Sequence, residues 1–462
     1  MATFQTQEVR GLFETAVANV VLGLPSLQAG IAGENTSEPQ FISVASLNLS
    51  NHIEWKDTAG NALQNHDSSL LRILEEQHDQ LWPEISVRPP WKVTAVVGRD
   101  STRDGLMLDI LFAAHHSLCD GRSTAAFHAR LLNELNNPSG QPPHLSGHIL
   151  TVSEPVLLPQ PLEKLVKFSI SWGFMLRTLW RELAPGLLQP PRPPAPWTGK
   201  AIALEPYRTK LRLVTVSTET LSRLLASCRA NSTTLTPLLH VLVLASLSRR
   251  VQPDTAKSFA SSTPIDMRPF IDPSLRPNGF GGSVGVFVTS QSHSFEPSVV
   301  ERLRASVEED LIWRLATDLR MSMKKRLDVI PKDDITGMLQ WVGDWHKYWL
   351  AKLGAPRGDT WSVSNIGSMP GTLEEGDYPP AKWRIQRSIF TQSVMAAGSA
   401  IGINVSGVTG TSFCISLSWQ EGIVETELLD GLADDLHVWL RHFGRDGRFD
   451  IGSVAERGDL RG

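Results

Sequence analysis

Two adjacent histidines, His115 and His116, lie between a long apolar segment and an Asp-Gly pair, in the order His-His-Ser-Leu-Cys-Asp-Gly. The imidazole of histidine has an unperturbed pKa of about 6.5, so it can accept and return a proton at neutral pH. Asp120 can hold the turn by hydrogen bonds or by pairing with a buried arginine, and Gly121 allows backbone angles that other residues resist. The spacing favours general acid–base catalysis, although two core histidines before an ordinary helix cap would produce the same pattern.

The patterns on either side of this motif predict a strand before it and a helix after it. Residues 106–114 form a long and mostly apolar run, and together with residues 91–97 they predict a hairpin. Residues 121–135 have helical periodicity that ends at an Asn-Asn-Pro sequence. Because adjacent residues of a strand face opposite sides, we expect His116 to point into a cleft and His115 to point into packing.

Helical and strand patterns are mixed along the rest of the chain, which favours a two-lobe protein of mixed class. The predicted helices cover residues 8–31 (interrupted at Pro25), 68–81, 218–230, 234–251, 299–327 and 333–350. The predicted strands cover residues 41–49, 211–216, 259–264, 361–364, 403–406 and 413–419. His240 lies inside the most apolar helix, so we expect a core histidine with satisfied hydrogen bonds.

The histidine segment resembles the HHxxxDG motif of the CoA-dependent acyltransferase superfamily. That superfamily includes peptide-synthetase condensation domains, plant BAHD acyltransferases and chloramphenicol acetyltransferase. Three further segments resemble the fungal-type alcohol O-acetyltransferases in particular, and they occur in the expected order. These are TLTPLLH at residues 234–240, PIDMRP at residues 264–269 and SNIG at residues 364–367. HHxxxDG is the specific motif, and the resemblance spans nearly the whole chain.

The resemblance implies an α/β (α+β) fold of two lobes, a chloramphenicol acetyltransferase-like pseudo-dimer with a tunnel between the lobes. The proline-dense segment at residues 185–196 is the best candidate linker. We therefore expect an N-terminal lobe over residues 1–198, which carries HHxxxDG. A C-terminal lobe over residues 199–462 would carry the PIDMR and SNIG segments.

The same resemblance implies roles for individual residues. His116, the second motif histidine, would be the catalytic base, and Asp120 would pair with Arg268. Ser364 and Asn365 are candidates to stabilise the oxyanion or to form the tunnel wall. Alternatively, SNIG is a turn whose Asn and Gly serve backbone geometry. The remaining motif residues, which we expect to support the shape of the motif, are His115 and Gly121.

The implied activity is an O-acyltransferase of secondary metabolism that moves an acetyl or short acyl group from acyl-CoA to the hydroxyl of a small molecule. A thioester is already activated, so the reaction requires no metal and no bound cofactor, and acetyl-CoA or another acyl-CoA would be the co-substrate. The glycine-rich residues 279–285 lack the strand-then-helix context of a phosphate-binding loop, so we expect no dinucleotide site. Two alternatives stay open. One is a free-standing condensation-type enzyme that uses carrier-bound thioesters, and the other is a non-catalytic binding protein of the same fold.

Composition limits the partners. The 462 residues carry 44 Lys and Arg against 48 Asp and Glu, a net charge of −4. Because the chain has no excess of basic residues, binding to nucleic acid is disfavoured. The chain contains no run of 18 uncharged apolar residues, so we expect no membrane-spanning segment. The spacing of the three cysteines fits neither a disulfide framework nor a metal site. We expect a monomer in the reducing cytoplasm.

Overall fold

Helices and strands are mixed throughout the structure, a computed structural model, which confirms the predicted α/β (α+β) class. The structure describes residues 2–57, 66–99, 106–142, 144–152, 157–158, 160–183, 195–275, 284–306, 308–372, 382–393 and 395–451. The chain forms two compact units. The first takes Met1–Leu165, Pro273–Phe287 and Met369–Gln386. The second takes Val166–Asp272, Val288–Ser368 and Arg387–Gly462.

Parts of three predicted features lie outside the described residues. These parts are residues 185–194 of the candidate linker, residues 100–105 in the turn of the predicted hairpin, and residues 279–283 of the glycine-rich segment. The lobe boundary expected between residues 198 and 199 therefore stays a prediction.

The first unit combines helices with several small sheets. Its helices are α1 (Ala2–Leu22), α2 (His66–Asp79), α3 (Gly121–Asn136) and α4 (Leu162–Leu165). Its strands are β1 (Ala29–Ala32), β2 (Gln40–Ser43), β3 (Ser46–Asn48), β4 (Ile53–Asp57), β5 (Trp91–Arg99), β6 (Leu106–Ala114), β7 (Leu145–Ser146) and β8 (Ile149–Thr151). The described strands pair in the orders β1-β2, β3-β8-β7 and β4-β5-β6.

The core of the first unit holds the hairpin that precedes the histidine motif. β5 and β6 pair antiparallel with Trp91 opposite Ala114, as the sequence predicts. Phe13 of α1, Phe127 of α3 and Trp91 are buried in one apolar cluster. The ring of Phe112 in β6 stacks on Phe127 with centroids 3.9 Å apart. Full burial of one such side chain contributes about 1.5–3 kcal/mol, so this core holds the end of β6 firmly.

The second unit is built on one large sheet. Its helices are α5 (Trp172–Leu183), α6 (Thr218–Ala230), α7 (Leu235–Arg250), α8 (Pro297–Ala305), α9 (Glu309–Leu327), α10 (Trp345–Leu350) and α11 (Thr426–Asp446). Its strands are β9 (Thr209–Val216), β10 (Phe259–Asp266), β11 (Val288–Phe295), β12 (Trp361–Met369), β13 (Ile401–Val408) and β14 (Phe413–Gln420). The sheet order is β11-β10-β12-β13-β14-β9.

The core of the second unit centres on α7. This helix is buried from Pro237 to Ser248, so it is apolar on all sides rather than on one face. Trp361 of β12, Trp419 of β14 and Trp439 of α11 belong to the same apolar cluster. β10 and β12 run parallel, whereas β14 runs antiparallel to both of its neighbours. The parallel pair matters for the site, because the PIDMR segment begins on β10 and the SNIG segment lies on β12.

Four predicted elements are wrong in their continuity. The helix expected over residues 8–31 ends at Leu22 and is followed by a 3₁₀ helix, Pro25–Gln28, and by β1. Residues 41–49 form two strands, because β2 pairs with β1 while β3 pairs with β8. The helix expected over residues 299–327 is broken into α8 and α9, since Ser306 has extended backbone angles. The helix expected over residues 333–350 is a 3₁₀ helix, Ile335–Trp341, followed by α10. Apolar periodicity continues across these breaks, so it does not reveal them. The sequence pattern also predicts no helix over residues 426–446, where the structure forms α11.

No single helix in the described ranges is long and apolar enough to cross a membrane. Only α6 and α7 taken together pass that test of length and composition, and they meet at an angle of 99°. Both helices contribute to the core of the second unit.

Candidate active site

The histidine motif forms a tight turn at the end of β6. The strand stops at Ala114, and the N–H of His115 donates to the carbonyl of Pro90 at 2.8 Å, just before β5. The N–H of Leu118 then donates to the carbonyl of His115 at 2.9 Å, which closes the turn. His115 and His116 are both exposed, whereas Leu118 is buried in the core of the first unit. Both imidazoles are therefore presented at the end of a well-anchored strand.

The expectation that His115 points into packing is wrong. Strand alternation applies only within a strand, and β6 ends one residue before His115. Nδ1 of His115 instead lies 2.7 Å from Oγ of Ser117, and the N–H of Ser117 donates to the same nitrogen at 3.3 Å. Because a backbone N–H can only donate, Nδ1 is an acceptor and the neutral ring carries its proton on Nε2. Partial desolvation and the neighbouring His116 ring lower the pKa of His115.

Asp120 is a buried helix cap that binds backbone as well as a side chain. Its Oδ1 accepts from the N–H and the hydroxyl of Ser123, both at 2.8 Å, at the start of α3. Its Oδ2 accepts from the N–H of Phe287 at 3.0 Å. The N–H of Gly285 donates to Oγ of Ser123 at 3.0 Å, so the two side chains together hold residues 285–287. We call this arrangement the Asp120 clamp.

The motif pattern does not identify Ser123, Gly285 and Phe287, which the structure places in the Asp120 clamp. One signal was available, because an aspartate just before a helix is a typical N-cap whose side chain accepts from the N–H two or three residues later, here that of Ser123. The contact with residues 285–287 had no local signal, since these residues are more than 160 positions away along the chain. Gly285 belongs to the glycine-rich segment considered for phosphate binding. In the structure it is required for a close approach, because a Cβ there would lie 2.6 Å from ring carbons of Phe287.

The pairing of Asp120 with Arg268 stays a prediction. Arg268 is buried in the second unit, with 7% of its surface exposed. Its Nη1 donates to Oδ1 of Asp266 at 3.0 Å, which forms an ion pair within the PIDMR segment. The backbone N–H of Arg268 donates to the same oxygen at 3.1 Å. Arg268 is therefore held in place by its own segment.

Two of the family-like segments meet in the second unit. Nδ2 of Asn365, in SNIG, donates to Oγ1 of Thr236, in TLTPLLH, at 3.2 Å. Oδ1 of Asn365 accepts from the N–H of Gly367 at 2.9 Å, and Gly367 has a φ of +81°. Both ends of this amide are therefore used in shaping the turn. Ser364 is buried on β12, and its hydroxyl makes no hydrogen bond to the described part of the chain.

A buried hydrogen-bond network lies beneath these segments, and it confirms that His240 is a satisfied core histidine. Nδ1 of His240 accepts from Nε1 of Trp361 at 3.0 Å and from Oγ of Ser261 at 2.9 Å. Indole can only donate, so the proton of His240 is on Nε2, which donates to Oγ1 of Thr263 at 2.8 Å. Thr263 in turn donates to Nε2 of His293 at 2.9 Å. We call these residues the His240 network.

The His240 network ties four elements together, namely α7, β10, β11 and β12. Burial lowers the pKa of His293 to about 4 and moves the pKa of His240 well below its ordinary value. Both rings are therefore neutral at physiological pH, as the fixed donor and acceptor roles require. The network holds the segments that carry TLTPLLH, PIDMR and SNIG in register with one another.

The described residues contain no group of three or more His, Cys, Asp or Glu placed to hold a metal ion. Cys119, Cys228 and Cys414 are buried, and none of them forms a disulfide. The side chains gathered around the motif supply proton acceptors and hydrogen-bond donors, which suit acyl transfer from an activated ester.

Comparisons with known proteins agree with this chemistry. The profile of the family described as alcohol acetyltransferase matches residues 61–430. A probable alcohol acetyltransferase of Fusarium pseudograminearum is 32% identical over 461 residues, covering 98% of this chain and 90% of that protein.

Solved structures show the same fold at low identity. The trichothecene 15-O-acetyltransferase of Fusarium sporotrichioides aligns with a TM-score of 0.64 and 14% identity, covering 93% of this chain and 85% of that one. The first condensation domain of the CDA synthetase aligns with a TM-score of 0.51 and 13% identity, covering 96% of this chain and 90% of that one. These similarities confirm the predicted chloramphenicol acetyltransferase-like fold class. The tunnel between lobes stays a prediction.

Proposed function

Because the chain belongs to the alcohol acetyltransferase family, and is therefore an acyltransferase, we propose that it transfers an acetyl or short acyl group from acyl-CoA to a hydroxyl. The acceptor in this proposal is a small molecule of secondary metabolism, and the site of action is the cytoplasm. The observation that carries the proposal is the exposed imidazole of His116 on a turn held by the Asp120 clamp.

His116 acts as the general base in the proposed reaction. It accepts the proton of the acceptor hydroxyl while that oxygen attacks the carbonyl carbon of the thioester. The tetrahedral intermediate then collapses, the C–S bond breaks, and His116 returns the proton to the leaving thiolate. The products are the ester and the free thiol of CoA, so atoms and protons balance without a metal or a bound cofactor.

Ser364 is the better of the two candidates for stabilising the oxyanion. Its hydroxyl is not used in a hydrogen bond within the described chain, so it can donate to a developing negative charge. The side-chain amide of Asn365 donates one hydrogen to Oγ1 of Thr236, and its carbonyl oxygen accepts from the N–H of Gly367. We therefore assign Asn365 a positioning role in the SNIG turn, and we keep Ser364 as the oxyanion candidate.

Asp120 and Arg268 act as positioning residues in this scheme. The Asp120 clamp fixes the turn that carries His116, and Arg268 is buried beside Asp266 in the PIDMR segment. A buried guanidinium and a buried carboxylate stabilise each other when they pair, which is the physical basis for the expected Asp120–Arg268 contact.

The identities of the acyl donor and of the alcohol that accepts the acyl group are tested with the purified protein. Acetyl-CoA is offered with a panel of small alcohols, and release of free thiol is followed together with the mass gain of one acetyl unit. A parallel reaction offers the same acetyl group on a phosphopantetheine-bearing carrier protein. We expect turnover with acetyl-CoA and its loss in His116→Ala, while His148→Ala, an exposed histidine of the first unit, keeps full activity. Turnover from the carrier protein alone would overturn the CoA assignment.

A further inference from the structure

The helix α5 of the second unit turns its apolar face toward solvent. Trp172, Leu176, Leu179 and Trp180 recur at helical spacing, so they lie on one face of the helix. Their exposed fractions are 77%, 61%, 41% and 53%. Among the described side chains of α5 the buried one is polar, that of Thr178. A surface helix normally buries its apolar face, so this orientation is reversed. We call the four apolar residues the α5 face.

The start of α5 is fixed to its neighbours in the second unit. The hydroxyl of Ser171 accepts from the N–H of Phe174 at 3.2 Å. The carboxylate of Asp333 accepts from the N–H and the hydroxyl of Ser171 at 2.7 and 3.0 Å. A Cβ at Gly337 would lie 2.7 Å from Cβ of Phe168, so the segment before α5 packs directly on the 3₁₀ helix that contains Gly337. These contacts hold the helix in place.

The segment that packs on the start of α5 adds exposed apolar side chains of its own. They are Val329, Ile335, Leu339 and Trp341, with exposed fractions between 38% and 58%. Single exposed apolar residues are ordinary on protein surfaces, whereas a concentration of them marks an interaction site. Because these two segments contact each other, their exposed apolar residues together indicate an interaction surface.

The exposed charges of the same two segments are mostly basic. In residues 166–180 and 324–341 the exposed acidic residue is Asp328, whereas the exposed basic residues are Lys167, Arg177, Lys324, Lys325 and Lys332. Lys167 pairs with Asp272. Arg177 lies on α5 itself, three residues before Trp180, so the two side chains are neighbours on the helix surface. The surface therefore combines exposed tryptophan and leucine with a surplus of positive charge.

We propose that the α5 face binds the surface of a lipid bilayer that contains anionic lipids. Trp172 and Trp180 suit this ligand, because indole is amphipathic and is enriched where a membrane meets water. Leu176 and Leu179 enter the boundary of the acyl chains, while Arg177 attracts lipid phosphates. With 12 residues α5 is too short to cross a bilayer, so it lies in the plane of the surface.

A second copy of the chain fits this surface less well than a bilayer does. A twofold contact places the same surface of each copy against the other. It would bring two sets of basic residues together, and their repulsion opposes association. Anionic lipids supply the opposite charge instead.

Vesicle co-sedimentation with the full chain tests the proposal. Vesicles of phosphatidylcholine alone are compared with vesicles of phosphatidylcholine mixed with phosphatidylserine. We expect the protein to sediment with the mixed vesicles at low salt. Its affinity should fall as sodium chloride is added, because salt screens the attraction between basic residues and lipid phosphates. Absence of binding, or equal binding to both kinds of vesicle, would overturn the proposal.

A double variant, Trp172→Ser with Trp180→Ser, removes the two largest side chains of the α5 face. We expect its affinity for the mixed vesicles to fall by about tenfold or more, since binding strength scales with the apolar area buried in the membrane. The matched control combines Leu81→Ser with Leu157→Ser, two residues of the first unit that are 82% and 89% exposed. The control should bind as the natural protein does. An equal loss in both double variants would contradict the site.

A second measurement uses the natural protein alone. Hydrogen–deuterium exchange is followed with and without the mixed vesicles, and we expect slower exchange in peptides that cover α5 and residues 329–341. Unchanged exchange in these peptides, while the protein is bound to vesicles, would place the membrane contact elsewhere and overturn the proposal. Sedimentation velocity without vesicles should show a monomer. A dimer that the Trp172 and Trp180 double variant abolishes would mean that the α5 face joins two copies of the chain, which also overturns the proposal.

Discussion

At the scale of single residues, the aspartate and the histidines of the motif do different work. Asp120 is buried and accepts hydrogen bonds from Ser123 and Phe287. Its removal leaves buried donors without acceptors, which costs folding energy. His115 and His116 are exposed, so truncation of either ring loses little packing. Substitutions at these positions therefore separate folding from catalysis.

His116→Ala is expected to lower turnover by about 10²- to 10⁴-fold, the usual share of a positioned general base. His115→Ala should lower it by less than about tenfold, because Nδ1 of His115 is used by Ser117 and the ring only shapes the turn. Steady-state kinetics with a confirmed acceptor measures both. Equal losses in the two variants would remove the special role given to His116.

Asp120→Ala is expected to reduce the free energy of unfolding by about 2–5 kcal/mol, since several buried donors lose their acceptor at once. Urea-induced unfolding measures this change. Glu38→Ala replaces an exposed carboxylate of the same unit and should stay within about 0.5 kcal/mol of the natural protein. A change at Asp120 as small as the change at Glu38 would mean that the Asp120 clamp does not hold the turn.

At the scale of elements, two devices position the candidate site. The Asp120 clamp joins the start of α3 to residues 285–287 of the same unit. The His240 network joins α7 to the three strands β10, β11 and β12. Each device connects segments that are far apart in sequence, so each contributes to the shape of the site rather than to the stability of one helix or strand.

Gly285→Ala tests the clamp from the side of the loop. A Cβ at this position would lie 2.6 Å from the ring of Phe287, which is buried and has little room to move. We expect a loss of about 1–3 kcal/mol in unfolding free energy, the usual cost of overpacking, together with reduced turnover. Gly343→Ala is the control, because nothing lies within 4 Å of a Cβ there. Full stability of Gly285→Ala would show that the close approach is not required.

Stability should fall as the pH is lowered from about 6.5 to about 4. Burial lowers the pKa of His52, His128 and His293 to about 4, while unfolded histidine titrates near 6.5. Between these values the unfolded chain binds more protons, so the stabilisation is complete above pH 6.5 and is lost below it. In this range, each such histidine adds about 1.4 kcal/mol per pH unit to the slope of the unfolding free energy against pH.

Urea unfolding at several pH values measures this slope, and His293→Gln supplies the comparison. Removal of one buried histidine should reduce the number of protons taken up on unfolding by close to one between pH 6 and 4.5. An unchanged slope would mean that His293 does not titrate in this window and that its place in the His240 network is different.

At the scale of the whole molecule, the proposed reaction draws on both units. His116 belongs to the first unit, whereas Ser364 and Arg268 belong to the second. In this proposal, the pairing of Asp120 with Arg268 links the motif turn to the PIDMR segment. A test of the pairing is therefore also a test of whether these two segments are energetically coupled.

A double-mutant cycle with Asp120→Asn and Arg268→Gln measures that coupling. Residues that interact directly show coupling energies of about 0.5–3 kcal/mol, whereas distant residues add within about 0.5 kcal/mol. We expect a coupling above about 1 kcal/mol in urea unfolding, with both single variants destabilised. Additive effects would contradict the pairing of Asp120 with Arg268.

The sequence by itself determined the chemistry-bearing motif and most local elements. The apolar run of β6, the helix after Gly121 and the very apolar α7 follow from periodicity, which is a property of neighbouring residues. The family resemblance followed from short motifs that need no structure to be recognised. The role of His240 as a core histidine could also be predicted, because a polar residue inside an apolar helix must find hydrogen bonds.

Tertiary structure decided what periodicity cannot express. The exposure of His115 follows from the end of β6 at Ala114, and helix breaks such as the one at Ser306 leave no periodic signal. The partners of Asp120 come from residues 285–287, and contacts over such distances in sequence depend on how the chain packs. The outward direction of the α5 face is likewise visible only in the folded chain, because the periodicity of an amphipathic helix is the same whether its apolar face is covered or exposed. Long-range packing, rather than local pattern, therefore determines the environment in which each chemical group works.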